Sequence, residues 1–367
     1  MTVATMSVNA DQRLSSLGTA VSRAGLDAFL ASSDESIAYL SGFRPFQLER
    51  FFAVAVRVDG SGAIVVPALD TEQASNAPSA LELISYGAAS DGLNELLGVL
   101  HGVRRIGVEQ DHLNFARAEG LRARGIEPVA AGELILAQRW CKDASELVKL
   151  RRACELVESA IAYSFAALRV GLTERELNGR VESWLRERGA SAVHPLILFG
   201  ESAASPHGEP GDRELRQGDV VCADVSACFD GYWGDLTRCA TAGPASTWAR
   251  EAWEVVVAAQ TAAIDACHVG VGAREVDAAQ RQVVEASPHL GACLHGAGHA
   301  IGMAIHEPPF LVPRIETALE AGMVFTIEPG IYQPGVGGLR LEDEVLVASA
   351  GPELLSATHA ELMELAA

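Results

Sequence analysis

The sequence predicts a mixed α/β (α+β) chain of two domains, residues 1–140 and 141–367, with an internal duplication in the second. Three observations predict this. The chain has 367 residues, of which 49% are hydrophobic, enough for two cores. Helix-like and strand-like segments alternate before residue 140, as in an α/β layer. Beyond residue 140, short motifs recur in the same order.

In the first domain, helical and extended patterns follow one another along the chain, and Gly-rich turns separate them. None of these segments contains a convincing catalytic motif. They are a helix at 11–24, apolar Leu26–Ala31, strands Phe51–Val58 and Ala63–Pro67, a helix at 90–101, strand Arg105–Glu109, a helix at 112–124 and a strand at 126–130.

The domain boundary is expected near Trp140–Asp143. After it, Asp143 stands where an N-cap belongs, three residues before Glu146 and ahead of an amphipathic pattern. This arrangement is typical of a capping box. A helix is therefore expected to open the second domain.

A hairpin is the next predicted element. Asp230-Gly231 is a strong two-residue turn signal between two β-rich runs. Counting outward from that turn places Ser226 opposite Asp235. Cross-strand partners share a face, and so do alternate residues of one strand, so Asp224 and Asp235 are predicted to project from the same face.

A second hairpin is predicted from Gly322 to Leu346, with a Pro329-Gly330 break and a longer, Gly-rich loop at 335–338. It belongs to a repeat with three matching parts. A pseudo-twofold axis would then bring both hairpins to one central site. The matches are Val170–Leu177 with Val269–Val276, His207–Pro210 with His306–Pro309, and Gly218–Asp224 with Gly322–Glu328.

Four carboxylates and one imidazole within these motifs predict a two-metal centre. Oxygen and nitrogen ligands suit Mn²⁺, Co²⁺ or Zn²⁺, and about four positive charges would balance four carboxylates. The acids follow apolar runs, where unpaired carboxylates would be costly to bury. The predicted ligands are Asp224, Asp235, His299, Glu328 and Glu342.

The motifs resemble those of the pita-bread metallopeptidases, which include prolidase, aminopeptidase P and methionine aminopeptidase. The resemblance covers most of residues 145–350. It implies a creatinase-like N-terminal domain followed by a pita-bread domain. The matching runs are Ser205-Pro-His207-Gly, Ala223-Asp224, Asp235-Leu-Thr-Arg238, Gly298-His299-Ala-Ile-Gly302, His306-Glu-Pro-Pro309, Thr326-Ile-Glu328-Pro-Gly330 and Leu339-Arg340-Leu-Glu342-Asp343.

The resemblance also implies a role for each metal ligand. Asp224 and Asp235 would hold one ion; His299, Glu328 and Glu342 would complete the site; and Asp235 and Glu342 would bridge the two ions. A hydroxide between the ions would be the nucleophile, and Glu328 would shuttle protons. Mn²⁺ is the expected metal, with Co²⁺ or Zn²⁺ as alternatives.

Three further residues match positions beside the ligands in the family. His207 and His306 would bind the substrate carbonyl region and stabilise the tetrahedral intermediate, since imidazole donates hydrogen bonds and titrates near working pH. For Arg340, a role near the ligands and an ordinary strand position are both open. Tyr232, Trp233 and Phe310 are either proline-pocket or packing aromatics.

The resemblance implies hydrolysis of Xaa-Pro bonds, whose tertiary amide lacks an N–H. The expected activity is a prolidase-like Xaa-Pro dipeptidase acting on small peptides with proline second. An Xaa-Pro aminopeptidase for longer peptides stays open. So does a non-peptide C–N hydrolase, because Ser226 and Gly234 depart from the family pattern and His194 has no assigned role. A non-catalytic binding module is disfavoured by the complete ligand set.

Composition bears on partners and location. The net charge is −20 without a basic block, which disfavours nucleic acid and anionic membranes. Residues 1–11 lack the pattern of a leader, and seven cysteines without a Cys-x-x-Cys pair are expected to be reduced thiols. We therefore expect a cytoplasmic protein, and the family resemblance implies a homodimer.

Overall fold

The computed structural model describes residues 3–289, 291–357 and 361–366 and divides into two compact units, Met1–Arg139 and Trp140–Ala367. The expectation for residues 1–11 includes residues 1 and 2, which lie outside the described part. None of the described helices is both long and apolar enough to cross a bilayer.

The first unit is a mixed sheet flanked by helices. Its strands lie in the order β4-β3-β2-β1-β5-β6 among the described residues. Buried apolar side chains such as Leu30, Val65 and Ile106 pack between this sheet and the helices. The elements are α1 Val3–Arg23, β1 Ala28–Ala31, α2 Asp34–Ser41, β2 Ala53–Arg57, β3 Gly62–Pro67, α3 Thr71–Ser75, β4 Glu82–Tyr86, α4 Leu93–Val99, β5 Arg105–Val108, α5 Phe115–Arg122, β6 Glu127–Ala130 and α6 Glu133–Trp140.

The segments expected in this unit are present, and four of the elements named above were missed. These are α2, α3, β4 and α6. Helix α2 has eight residues, begins at the side-chain cap of Ser33 and ends at Gly42, whose φ is 74°. Elements this short give too few turns for a periodic pattern to stand out, so tertiary packing decides them.

The second unit begins with the expected capped helix. The Asp143 carboxylate accepts from the Glu146 amide at 2.9 Å, and the Glu146 side chain accepts from the Asp143 amide. The elements are α7 Ala144–Ala166, α8 Glu174–Glu187, β7 Ala192–Phe199, β8 Val220–Phe229, β9 Tyr232–Ala242, α9 Thr247–Ala266, α10 Ala273–Glu285, β10 Gly298–Ala300, β11 Glu307–Leu311, β12 Val324–Ile327, β13 Gly330–Gln333, β14 Gly337–Arg340, β15 Asp343–Ala348, β16 Gly351–Leu354 and β17 Met363–Leu365.

The first hairpin has the predicted register. Asp230 and Gly231 both have positive φ, 47° and 81°, as a two-residue turn of this kind requires. Ser226 pairs with Asp235. One face of β8 and β9 packs against α7 and α8 through side chains such as Val225 and Leu236, and the opposite face carries Asp224 and Asp235.

The second hairpin is a long ribbon interrupted in the middle. Strand β12 pairs with β15, with Ile327 opposite Asp343, and β13 then pairs with β14, with Gly330 opposite Arg340. The break at Pro329 therefore leaves Glu328 and Glu342 outside regular pairing. Both acids extend into the candidate site from this interruption of the hairpin.

The duplication extends to the contacts that hold each helix to its strand. The Asn178 side chain bonds the amide and carbonyl of Ile197, and Asp277 accepts from the amide of Ala297 at 3.1 Å. Residues 178 and 277 differ by the same offset of 99 as two of the sequence repeats. The two halves thus share this helix-to-strand contact as well as their sequence motifs.

Candidate metal centre

The structure brings the five predicted ligands together. Asp224 and Asp235 extend from β8 and β9, His299 lies on β10, and Glu328 and Glu342 flank the break in the second hairpin. Ligand atoms of Asp224, Asp235 and Glu342 lie within 4.8 Å of one another, and so do those of His299, Glu328 and Glu342. Two of the candidate triads therefore share Glu342, an arrangement that could hold divalent cations.

The two hairpins are joined at Thr237. Its carbonyl accepts from the Glu342 amide at 3.1 Å, and its hydroxyl donates to Glu342 Oε2 at 2.6 Å. The buried Arg238 guanidinium donates to the Glu342 carbonyl and to Asp343 Oδ1, the latter at 2.6 Å. The shared carboxylate is thereby fixed through both its backbone and its side chain.

The tautomer of His299 follows from its hydrogen bond. Nδ1 lies 3.1 Å from the Ala300 carbonyl, which can only accept, so Nδ1 carries the proton. Nε2 then presents its lone pair 3.6 Å from Glu328 Oε1 and 3.9 Å from Asp235 Oδ2. Burial, followed by His306, lowers the pKa of His299 to about 3. The imidazole is therefore neutral, as a metal ligand must be.

The carboxylates repel one another in the absence of cations. Burial, then the charges of Asp224 and Glu328, raise the pKa of Asp235 well above its ordinary value. Burial, then Asp235 and Glu328, do the same to the pKa of Glu342. Burial raises the pKa of Glu328 to about 7. Divalent cations fit this donor set because they would remove both the repulsion and the desolvation cost.

Arg340 supplies a compensating cation beside the site. It is 4% exposed and pairs with Asp224 Oδ2. It also donates to Tyr332 Oη at 2.9 Å and, through Nε, to the Thr237 hydroxyl at 3.0 Å. Of the two interpretations left open for this arginine, the structure favours the position beside the ligands.

A cleft of about 210 Å³ opens over the ligands. His207 and His306 both line it, and the rings of His299 and His306 lie 4.1 Å apart between centroids. Phe310 also lines the cleft. Tyr232 is buried elsewhere and donates to Glu146 at 2.8 Å, so it is a packing residue.

Sequence reasoning missed His295 and Tyr332. His295 lines the cleft; its Nδ1 lies 2.9 Å from the Gly296 carbonyl and its Nε2 lies 2.9 Å from Tyr332 Oη. Burial lowers the pKa of His295 to about 4, so Tyr332 donates to a neutral ring. The available signal was the spacing His295-Gly-Ala-Gly-His299, four residues before a ligand.

His194 and Gly234 have structural explanations. His194 pairs with Ser226, which pairs with Asp235, so the exposed imidazole lies on the metal-facing side of the sheet. Gly234 points the other way. A Cβ there would lie 2.6 Å from the backbone of Ala153 in helix α7, which explains why no side chain stands at this position.

The fold and the site define a metal-dependent hydrolase. Residues 148–349 match the model of metallopeptidase family M24, and residues 13–141 match the creatinase/prolidase N-terminal domain. An uncharacterised peptidase of Staphylococcus aureus is 33% identical over 91% of this chain and 95% of its own length. The chain belongs to metallopeptidase family M24.

Solved structures agree with this assignment. A Bacillus anthracis Xaa-Pro dipeptidase is 29% identical with a TM-score of 0.89, covering 97% of this chain and 99% of its own. A Pyrococcus horikoshii prolidase is 28% identical, with a TM-score of 0.89 and coverage of 96% and 100%. A Thermotoga maritima X-Pro aminopeptidase is 26% identical, with a TM-score of 0.83 and coverage of 92% and 97%. The protein is therefore a metallopeptidase with the expected two-domain fold.

Proposed function

We propose that this metallopeptidase is a two-metal Xaa-Pro dipeptidase. The observation that carries the proposal is the pair of candidate triads that share Glu342, with His299 Nε2 of one triad 3.9 Å from Asp235 Oδ2 of the other. One triad would serve a single ion, and two adjoining triads suit a pair. The likeness to a Bacillus anthracis Xaa-Pro dipeptidase and a Pyrococcus horikoshii prolidase supports the substrate class.

Two Mn²⁺ ions, with Co²⁺ or Zn²⁺ as alternatives, would be held by Asp224, Asp235, His299, Glu328 and Glu342. When bound, such ions polarise a carbonyl and lower the pKa of water toward neutrality. The pair would also neutralise the carboxylates whose pKa values burial raises. Asp235 and Glu342 each belong to two of the candidate triads, so either could help to hold both ions.

The remaining groups act on the substrate. His207 and His306 line the cleft and can donate hydrogen bonds to the scissile carbonyl as it gains negative charge. Glu328 can accept the proton of the attacking water and return it to the proline nitrogen that leaves. Arg340 holds the Asp224 carboxylate in place through their ion pair. Each role uses an atom that faces the cleft or a residue in contact with a ligand.

Phe310 and Val312 give the cleft an apolar wall that suits a proline ring. Because proline has no amide N–H, a site that relies on carbonyl polarisation rather than on that donor can bind it. This supports a substrate with proline at the second position.

A second candidate is an Xaa-Pro aminopeptidase, and a specific observation favours it. Among the described residues that line the cleft, Arg340 is the one arginine or lysine, and Asp224, Tyr332 and Thr237 already engage it. In a dipeptide the free carboxylate lies next to the proline ring, and a neutral wall at that place would bind the charge poorly. Such a wall would accept a longer peptide more readily. The likeness to a Thermotoga maritima X-Pro aminopeptidase is consistent with this reading.

The experiment is identification of the products released from Leu-Pro and from a Leu-Pro-Xaa tripeptide, with chelated enzyme before and after addition of Mn²⁺. Glu342→Gln removes the shared ligand, and Glu254→Gln on the exposed face of α9 is the matched control. Metal-dependent cleavage of the dipeptide alone supports the dipeptidase. Release of leucine from the tripeptide with Pro-Xaa left intact supports the aminopeptidase.

Failure to cut either peptide while two ions are bound would refute both candidates and leave a non-peptide C–N hydrolase of the same fold. The count of bound ions comes from metal analysis of the dialysed protein. We also propose a cytoplasmic homodimer, on the family resemblance and the seven free thiols. Sedimentation of the purified protein tests the dimer.

A further inference from the structure

A buried ion pair lies behind the cleft, outside the metal ligands. Lys142 Nζ and Glu307 Oε2 are 3.4 Å apart, and their side chains are 1% and 3% exposed. The two residues are 165 positions apart in the chain. We infer that Lys142 is a positioning residue that acts through Glu307 on His306, the neighbour of Glu307 that lines the cleft.

Glu307 organises the loop that leads to His306. Its Oε1 accepts from the amides of Met303 at 3.0 Å and Ala304 at 3.1 Å. Gly302 lies against the same carboxylate, since a Cβ at that position would be 2.9 Å from Oε2. The loop from residue 302 to His306 is thus wrapped around one carboxylate. Loss of Lys142 would remove a cationic partner from this buried acid, which is strongly unfavourable.

Lys142 is itself fixed from two directions. Its amide donates to the Gly322 carbonyl at 2.8 Å, at the start of the segment that leads to Glu328. Asp143, the next residue, caps helix α7. On the other side of the loop, the Gly302 carbonyl accepts from the Trp233 amide of the first hairpin at 2.8 Å. The ion pair therefore ties the His306 loop to the backbone ahead of Glu328, and the Trp233 amide separately ties the loop to the first hairpin.

Comparison of the two repeats shows that the acid of the Lys142–Glu307 ion pair belongs to the second repeat. His207 and His306 occupy equivalent places, but Gly208 stands at the position that corresponds to Glu307. The nearest acid after His207 is Glu209, which lies one position further on and is exposed, whereas Glu307 is buried. We expect the two histidines to differ: the orientation of His306 depends on Lys142, and that of His207 does not.

A matched lysine control is available because the chain has two lysines, Lys142 and Lys149. The variants are Lys142→Met, His306→Ala, the double variant, and Lys149→Met as the matched control. Lys149 lies over the Tyr232 ring at 4.9 Å, away from the cleft. Because the role of His306 rests on the proposed function, the assay is Mn²⁺-dependent Leu-Pro hydrolysis.

We expect Lys142→Met to lower kcat/KM by roughly 10- to 100-fold, as loss of an orienting partner does. In the His306→Ala background the same substitution should have little further effect, since its target is gone. Lys149→Met should stay near wild type. Equal fold losses from Lys142→Met in both backgrounds would overturn the inference, because they would show that Lys142 does not act through His306.

A second measurement does not depend on activity. In the metal-free protein, the imidazole CH signals of His306, assigned with His306→Ala, should shift or broaden in Lys142→Met while those of His207 stay unchanged. Lys142→Arg keeps the charge and serves if the methionine variant fails to fold. Unchanged His306 signals would overturn the inference. Absence of peptide cleavage by the wild-type enzyme would instead count against the proposed function.

Discussion

Replacing Glu328 by glutamine should stabilise the metal-free protein at pH 7 while weakening the metal-loaded one. Glu328 is a half-buried carboxyl whose pKa is raised by desolvation from 4.5 to about 7. The unfolded chain releases this proton near pH 4.5, but the folded chain retains it until about pH 7. Folding therefore costs free energy wherever the pH exceeds 4.5, and the cost is fully developed above pH 7.

The size of this cost follows from the two pKa values. One pKa unit corresponds to about 1.4 kcal/mol, so a shift from 4.5 to about 7 gives about 3 kcal/mol at pH 7. Glutamine has the same shape without the charge and removes most of this cost. The stability of the wild-type metal-free protein should fall as pH rises from about 4.5 to 7, and that of Glu328→Gln should fall less.

The assay is urea unfolding in chelator across this pH range, repeated with saturating Mn²⁺. Glu254→Gln, on the exposed face of α9, controls for the general effect of removing a negative charge. With metal the order should reverse, because Glu328→Gln lacks a ligand and gains less from binding. A metal-free Glu328→Gln protein that is less stable than wild type at pH 7 would refute the reasoning.

Three further outcomes are expected. Arg340→Met should lower the free energy of unfolding of the metal-free protein by about 3–5 kcal/mol, because Asp224 loses its buried partner. Added Mn²⁺ should restore part of this loss in thermal unfolding. An equal loss with and without metal would contradict the prediction. Gly234→Ser should lower the free energy of unfolding by about 1–3 kcal/mol, because the new side chain would collide with the backbone of Ala153. An unchanged Tm would contradict this prediction. Mn²⁺ binding at pH 7 should release protons, seen by calorimetry in two buffers of different ionisation enthalpy, whereas buffer-independent heats would speak against protonated carboxyls in the metal-free site.

The family and the fold could be predicted because the informative motifs are local. Asp230-Gly231 defines a turn, and the register of β8 and β9 follows from counting, so the shared face of Asp224 and Asp235 needed no further information. The second hairpin could not be counted in this way. Its break at Pro329 changes the pairing from β12–β15 to β13–β14, and that change depends on how the ribbon lies in the fold.

The sequence by itself determined the fold class, the duplication and the cluster of potential ligands, because strand alternation and turn chemistry act over a few residues and the repeated motifs can be matched by direct comparison. Tertiary structure alone decided which groups support them. The Thr237–Glu342 contact joins residues 105 positions apart, and the Lys142–Glu307 pair joins residues 165 apart. Such partners are selected by packing and by the cost of burying charge, and neither is visible in local sequence.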